Sequence, residues 1–511
     1  MTVPTSPLLS DAEPKSAGDA ASALAQLRRP SRLGLALLGV LALIFAAGVV
    51  SVMDQVAPSL PLALVGGVGL MALVSLAIGR YEVAVAFGFL MSGVVKIEPA
   101  PPDGVFAVII AIAIVTGRLR VDRVPAPVAF LLAGLSALSV FSFAEAFSVG
   151  YGIRFVAITF YLFVFSVWLA GYADRDRRGR QIVIAWLTIA IISAFLGTLA
   201  LQFPGFPMRL EFIADGASRG SALFKDPNVY GPFLVPIAVI LLEELIAPRL
   251  LRIGIITGLT LFAILIVGLI FSFSRAAWAN MLISSAVMLA ILLLRRRNTL
   301  RLLGVLGGLG VVGMVVLGIV VFGGQAEFIG QRAQLQGYDS ERFGAQRAGI
   351  QIASQHPLGV GPGQFQFHYP VETHSTYVRV LAEQGPFGLA LWVSLCLVTL
   401  GLAIANAFAG RSAGGIGSAA LLGAWCGLLV NSAVVDTLHW RHLWAVAGLI
   451  WAASMVGERR ERHNQRTLAR RDAERKAAIA ARRPSGQAGA TDGSDDEPLF
   501  GESGYRPAAG L

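Results

Sequence analysis

Six side chains in this sequence combine type and spacing in a way that suits chemistry on a phosphate-bearing molecule. Arg219 and Lys225 stand six apart in SRGSALFKDPNVYGPF. They flank Asp226-Pro227-Asn228, a turn that opens an apolar run. Asp226 or Asn228 suits the N-cap of a helix there, which leaves backbone N–H groups facing the same loop. Two cations beside a helix N-terminus make a pyrophosphate cradle; the plainer reading is a capped helix with basic side chains snorkelling at an interface. Arg275, in FSFSRAAW, sits between two long apolar runs with almost no loop. An arginine so placed is costly unless it is paired or faces a wet cavity. Its guanidinium suits bidentate contact with phosphate oxygens, and its plainer role is a topology-setting anchor. Arg342 and Arg347 follow in a polar stretch that also holds His374. A neutral imidazole with a pKa near 6.5 accepts a proton at neutral pH. On residue type alone a lone loop histidine is usually a structural or solvated side chain, and the same holds for His356 and His368.

Other chemistries find no pattern. There is no HExxH, CxxC or paired His–carboxylate spacing for a metal, and no Ser-His-Asp arrangement stands out. GVGPGQF is a poor phosphate loop, because no strand precedes it and no Gly-Lys-Ser/Thr follows. Cys396 and Cys426 both lie in apolar segments, so neither a disulfide framework nor a thiolate metal site is indicated.

The elements that must position these residues are membrane helices. The chain has 511 residues, 55% of them hydrophobic and 14% charged, with a mean hydropathy of +0.69. Apolar runs fall at 33–53, 60–79, 81–97, 104–117, 127–147, 153–173, 181–203, 229–247, 253–272, 275–294, 303–323, 386–406, 417–436 and 440–457. The expected fold class is all-α, a polytopic bundle of about 12–14 spans, with 81–97 and 104–117 short enough to form one broken hairpin. The formal net charge of +10 does not point to nucleic acid, because the basic residues sit in short clusters between apolar spans, as a topology signal does. About thirty polar residues precede the first apolar run, which is therefore expected to be an anchor rather than a cleaved signal.

Arginine clusters at 80, 118–123, 175–180, 249–252, 295–301 and 411 fall in alternate loops, which places them and both tails on the cytoplasmic side of a plasma membrane. The expected organisation is a disordered cytoplasmic tail at 1–32 and a transmembrane bundle at 33–323 with a short outer loop at 204–228. A large extracytoplasmic helical loop at 324–385, C-terminal transmembrane helices at 386–457 and a basic, then disordered tail at 458–511 complete it. The candidate cations all lie on the outer side, against the positive-inside bias. An anionic ligand is a reason for them to be there.

The loop itself reads as a helix–turn–helix cap. Ser340–Gln355 has helical spacing, with Phe343, Arg347, Ile350 and Ile352 near one face. His356-Pro357 ends it, and Gly359, Gly361, Pro362 and Gly363 make a tight turn. A second helix is expected from about Thr373, with His374, Tyr377, Val378 and Leu381 sharing a face, and Gly385-Pro386 closes it.

Three segments together resemble the O-antigen ligase and polymerase family of bacterial membrane proteins. They are RGSALFKDPNVYG, Ser274-Arg275, and the stretch from Arg342 to Gly388 that holds HPLGVGPGQF, His374 and EQGPFG in order. The resemblance covers residues 180–457. It implies transfer of a glycan from an undecaprenyl-diphosphate-linked donor to a sugar hydroxyl on an acceptor glycan or glycolipid, with inversion and with no metal or cofactor. It implies that Arg219, Arg275 and Lys225 hold the diphosphate, that Arg342 and Arg347 line the same cavity, and that His374 deprotonates or orients the attacking hydroxyl. Expected partners are the lipid-linked donor, the acceptor, the bilayer and other polysaccharide-assembly membrane proteins. Ser375 stands where the family often has Asn, which bears on acceptor contacts. Polymerase and ligase share this donor chemistry, and a transporter or flippase for lipid-linked sugars is the alternative. A transporter would call for internal repeats and mid-membrane ionisable residues.

Overall fold

The structure is a computed structural model that describes residues 60–96, 100–215, 218–295, 299–334 and 337–455. The expected tails at 1–32 and 458–511 and the first apolar run at 33–53 lie outside the described residues. The described chain is helical almost throughout, its only strands being two antiparallel pairs of two-residue strands. In order the helices are α1 Leu60–Gly79, α2 Tyr81–Met91, α3 Pro101–Val115, α4 Ala126–Phe141, α5 Val149–Tyr172, α6 Asp176–Gln202 and α7 Pro227–Ile246. Then come α8 Ile255–Phe271, α9 Arg275–Leu294, α10 Thr299–Phe322, α11 Ala326–Ala333, α12 Gly337–Gln355, α13 Phe365–His368, α14 Thr376–Ala409 and α15 Ser418–Val434, with α16 at 441–455. Among the described residues seven helices are long and apolar enough to cross a bilayer, and five shorter apolar ones accompany them, three of which precede the first long one. The protein is an all-α, multi-pass membrane protein. The short pair α2 and α3 are separate helices that pack against each other.

The bundle is built around α7, 94% of whose apolar window is buried. It starts with Pro227, whose fixed φ suits a first turn, and packs against α6, α8, α9 and α15. The closest pairing is between α9 and α15. A side chain at Gly423 would run into the Ser284 carbonyl oxygen, and one at Gly427 into the Asn280 side chain. This small-xxx-small pattern lets two backbones meet in lipid.

The loops sort to two ends. At the arginine-rich end, Arg123 and Arg178 share Asp174 at 2.6 and 2.8 Å, Arg177 meets Glu82, and Arg301 Nε donates to Leu245 O at 2.8 Å. Buried Glu243 and Glu244 close α7 there, accepting from Ala420 N and from the 249–251 backbone. At the long-loop end, Lys96 pairs with Glu211, Arg441 with Asp103, and Gln364 exchanges two hydrogen bonds with Ser148.

One local expectation for the long loop is corrected, and the face shared by Phe343, Arg347 and Ile350 is the exposed one. Phe343 and Ile350 are 49% and 54% exposed. The buried stripe of α12 is Ala345, Gly349 and Ala353, because Gly349 lies directly against Val378 and leaves no room for large side chains. The second helix begins at Thr376, not Thr373, because Ser375 is its N-cap and its hydroxyl accepts from Val378 N. His374 therefore lies outside the helix, not on a face with Tyr377. That helix is interrupted at Gly385, where φ is +68° and ψ −174°.

Candidate active site

The first long loop folds as a small hairpin, β1 Ile213–Ala214 against β2 Arg219–Gly220, with Ala214 opposite Arg219. Its buried arginine is fully engaged. Nε of Arg219 donates to Ser272 O at 3.0 Å, Nη1 to Asp215 at 3.0 Å and Nη2 to Asn228 Oδ1 at 3.0 Å. One guanidinium thus ties the hairpin, the α8–α9 turn and the start of α7 together. Burial pulls it below the ordinary arginine pKa; Asp215 opposes that and Arg332 adds to it. Asp226 caps α7 by accepting from Asn228 N at 2.7 Å. Lys225, beside the cap, is exposed.

The α8–α9 turn, Ser272–Ser274, carries Phe273 at φ +49°. A non-glycine residue in the left-handed region is strained and persists where its surroundings hold it. Here the Phe273 carbonyl accepts from Arg332 Nη2 at 3.5 Å, the ring packs edge-on to Phe328 at 4.6 Å, and Ser274 caps α9 by accepting from Ala277 N. Met208, Asp215, Ala222 and His374 also have positive φ, so among the described residues five of the six non-glycine residues in the left-handed region lie at this end, Arg252 being the exception. Arg275, the first residue of α9, reaches across to α12. Its Nη2 donates to both oxygens of the buried Asp339 carboxylate at 2.7 and 2.8 Å, and its Nη1 donates to Gln334 O at 2.9 Å.

The glycine turn is held by a residue that sequence reasoning missed. Gly359, Gly361 and Gly363 have φ of +78°, +97° and +72°, which only glycine adopts without strain. Glu383 on α14 is 1% exposed and accepts from Gly363 N at 2.7 Å and Phe365 N at 3.3 Å, while its own carbonyl takes Gly361 N. Arg379, one turn earlier, faces Glu383 and pairs with Asp436 at 2.9 Å and with Glu372. HPLGVGPGQF and EQGPFG are thus two halves of one hydrogen-bonded knot. A carboxylate inside an apolar helix just after a glycine-rich turn was the available signal, since a buried charge needs partners. Arg332 and Asp339 were missed as site residues because nothing in their spacing reveals a partner some sixty positions away.

His374 leads from this knot into α14. It has φ +46° and is half-buried. Burial and the Arg342 charge push its imidazole below the ordinary histidine pKa, while Asp226 and Asp436 push it up. Behind it, Thr376 Oγ1 meets Thr437 Oγ1 at 3.1 Å and Asp436 at 3.2 Å, locking the start of α14 to the α15–α16 loop. Of the expected residues, the structure gathers His374, Arg342 and, through Asp226, Arg219 into one electrostatic neighbourhood. Arg275 stands at the adjoining turn. Arg347 is exposed and about 140° around α12 from Arg342, so the two do not share a face. Among the described residues no three His, Cys, Asp or Glu side chains are gathered as metal ligands would be.

This arrangement can hold an anion near strained, well-anchored loops and offers a neutral imidazole beside it. A comparison with curated proteins found no match. Residues 260–393, which span α8 through the first half of α14 and include Arg275, Arg342, Arg347 and His374, match a family model described as O-antigen ligase. That match is confined to residues 260–393 and supports the resemblance to the O-antigen ligase and polymerase family.

Proposed function

We propose that this protein transfers a glycan from an undecaprenyl-diphosphate-linked donor to a sugar hydroxyl at the outer face of a bacterial plasma membrane, as a polysaccharide polymerase or ligase. The observation that carries this reading is half-buried His374, held at φ +46° just before the Ser375 N-cap of α14 within the matched domain. An apolar cavity of about 620 Å3 adds support. Helices α7 to α10 line it, and it reaches Trp278 and Ile329. Trp278 lies one turn along α9 from Arg275, so a prenyl chain there would bring its diphosphate to the cations of the long-loop end.

In the proposed step the acceptor hydroxyl oxygen attacks the anomeric carbon. The bond from that carbon to the diphosphate breaks, its electron pair leaves with the diphosphate, and His374 takes the hydroxyl proton. A single displacement inverts the anomeric centre. Developing charge on the leaving diphosphate is met by fixed cations rather than by reorganising water, which is where most of the rate is gained. Arg342 and Lys225 supply charge on the open side. Arg219 adds its own by exchanging the 58%-exposed Asp215 carboxylate for a phosphate oxygen. Arg275 holds the α12 helix that carries Arg342. The side that bears these loops is outward and the arginine-rich side cytoplasmic, in keeping with the charge rule for membrane topology.

The test is a single-turnover reaction in nanodiscs with a lipid-linked glycan extracted from the host, following release of undecaprenyl diphosphate with and without EDTA. Release by the native protein, unaffected by EDTA and lost in folded His374→Ala, is expected. Full release by His374→Ala removes the base assignment. No release, together with movement of the donor across a vesicle membrane, replaces the enzyme with a transporter.

A further inference from the structure

A cavity of about 850 Å3 opens at the arginine-rich end, opposite the candidate active site, between the starts of α2 and α6 and the ends of α3 and α5. Seven arginines line it against two carboxylates, Glu82 and Asp174. Those carboxylates are consumed by Arg123, Arg177 and Arg178. Among the described residues Arg80 and Arg118 have no carboxylate partner, and Arg118 lies instead over the Tyr81 ring at 4.8 Å. The floor is aromatic and ordered: Trp168 donates to Tyr81 Oη at 2.7 Å and stacks on Tyr172 at 5.3 Å.

The positive-inside tendency accounts for arginines at this end. It does not account for a concave wall, an aromatic floor or unsatisfied polar groups beneath it. Tyr172 is 5% exposed, lines the cavity, and its hydroxyl is buried without a hydrogen-bond partner. Arg123 Nε and Gln181 Oε1 line the same cavity and are likewise buried and unpartnered. Buried polar groups are nearly always paired in folded proteins, so three orphans around one basic cavity mark a place where a ligand completes the hydrogen bonding. Guanidiniums already laid on rings lose little further freedom on binding.

We infer that this cavity is a second ligand site that binds a group carrying two phosphates, its charge held by Arg80 and Arg118 and one oxygen accepting from the Tyr172 hydroxyl. Such a group reaches this end of the protein either as the headgroup of a diphosphate-bearing phospholipid or as a soluble pyrophosphate. Full-length protein in phosphatidylcholine nanodiscs is titrated with inorganic pyrophosphate by calorimetry, and cardiolipin retention is counted by native mass spectrometry. The variants are Arg80→Gln/Arg118→Gln, which removes two exposed side chains, and Tyr172→Phe, which keeps the ring. Arg342→Gln serves as a control for binding at the far end.

A roughly tenfold loss of affinity in the double variant, absent in Arg342→Gln, is expected for whichever probe is the true ligand. That probe identifies the source as lipid or soluble. Tyr172→Phe is expected to weaken the same probe while leaving thermal stability unchanged or higher, since it removes an unpartnered hydroxyl. If neither probe binds, or if binding is the same in the cavity variants as in the native protein, the site does not exist.

Discussion

Arg275 and Asp339, separated by 64 positions in the chain, form an ion pair in which one guanidinium nitrogen, Nη2, lies 2.7 and 2.8 Å from the two carboxylate oxygens. The pair pins the first turn of α12 to the first turn of α9. Asp339 is 7% exposed, so deleting the arginine takes a charged partner away from a buried carboxylate. We expect Arg275→Ala to cost about 2–3 kcal/mol of local stability and Arg275→Lys to recover part of it, because a single ammonium does not reach both Asp339 and Gln334 O as the two guanidinium nitrogens do. Hydrogen exchange across residues 337–355 reads this directly. Faster exchange in the single variants, reversed in the Arg275→Asp/Asp339→Arg exchange, is the expected pattern. Unchanged protection in Arg275→Ala would show that the helix is held by packing alone.

His374 gives a pH dependence with a defined sign. Burial and Arg342 depress its pKa, so the imidazole is neutral at pH 7 and competent as a base. Transfer should rise with pH through that lowered value, below about 6.5, and then level off. Arg342→Gln removes a depressing charge and should move the acid limb to higher pH. Asp226→Asn removes a raising charge while keeping a good N-cap, and should move it lower. His374→Ala should cost roughly a hundred- to ten-thousand-fold. Rate profiles of these variants decide the matter, and an acid limb that stays put in both charge variants would take His374 out of the proton transfer.

How much of this was legible beforehand follows from what each feature depends on. The helices were, because every apolar run within the described residues meets a helix, and a bilayer demands that pattern of any spanning chain. The arginines of the candidate site stood out by lying against the charge bias. Their partners did not: nothing near Arg219 in the chain says that its guanidinium is divided among Asp215, Asn228 and Ser272, and nothing near Arg275 names Asp339. His374 was drawn into a helix by spacing, because Thr373, Ser375 and Thr376 are all able to cap and only tertiary contacts choose Ser375.

Glu383 is expected to matter more for architecture than for chemistry. Its carboxylate satisfies two backbone N–H groups of the glycine turn. Glu383→Ala leaves both buried and unmet, at about 1–3 kcal/mol each, whereas Glu383→Gln keeps an acceptor and should cost less. Gly363→Ala should be comparably harmful, since a Cβ there meets the Phe155 ring at 2.9 Å and φ is +72°. Thermal unfolding of the purified variants should rank them Ala at 383 and Ala at 363 below Gln at 383, with the native protein highest. Equal midpoints for native protein and Glu383→Ala would refute the knot.

The α9–α15 contact links the bundle to the site, because α9 begins at Arg275 and α15 leads into the loop that carries Asp436. At Gly427 an added methyl would collide with Asn280 and Ser284, whereas at Gly401 on α14 it would meet nothing within 4 Å. Gly427→Ala should therefore destabilise by about 1–3 kcal/mol through forced displacement. Gly401→Ala should be neutral or slightly stabilising through helix propensity. Because α9 carries Arg275 at its tip, the displaced helix should also loosen the Arg275–Asp339 pair, so Gly427→Ala is expected to speed hydrogen exchange at 337–355 as well as lower the thermal midpoint. A variant that loses thermal stability with unchanged protection of α12 would separate the bundle from the loop and show that the two are held independently.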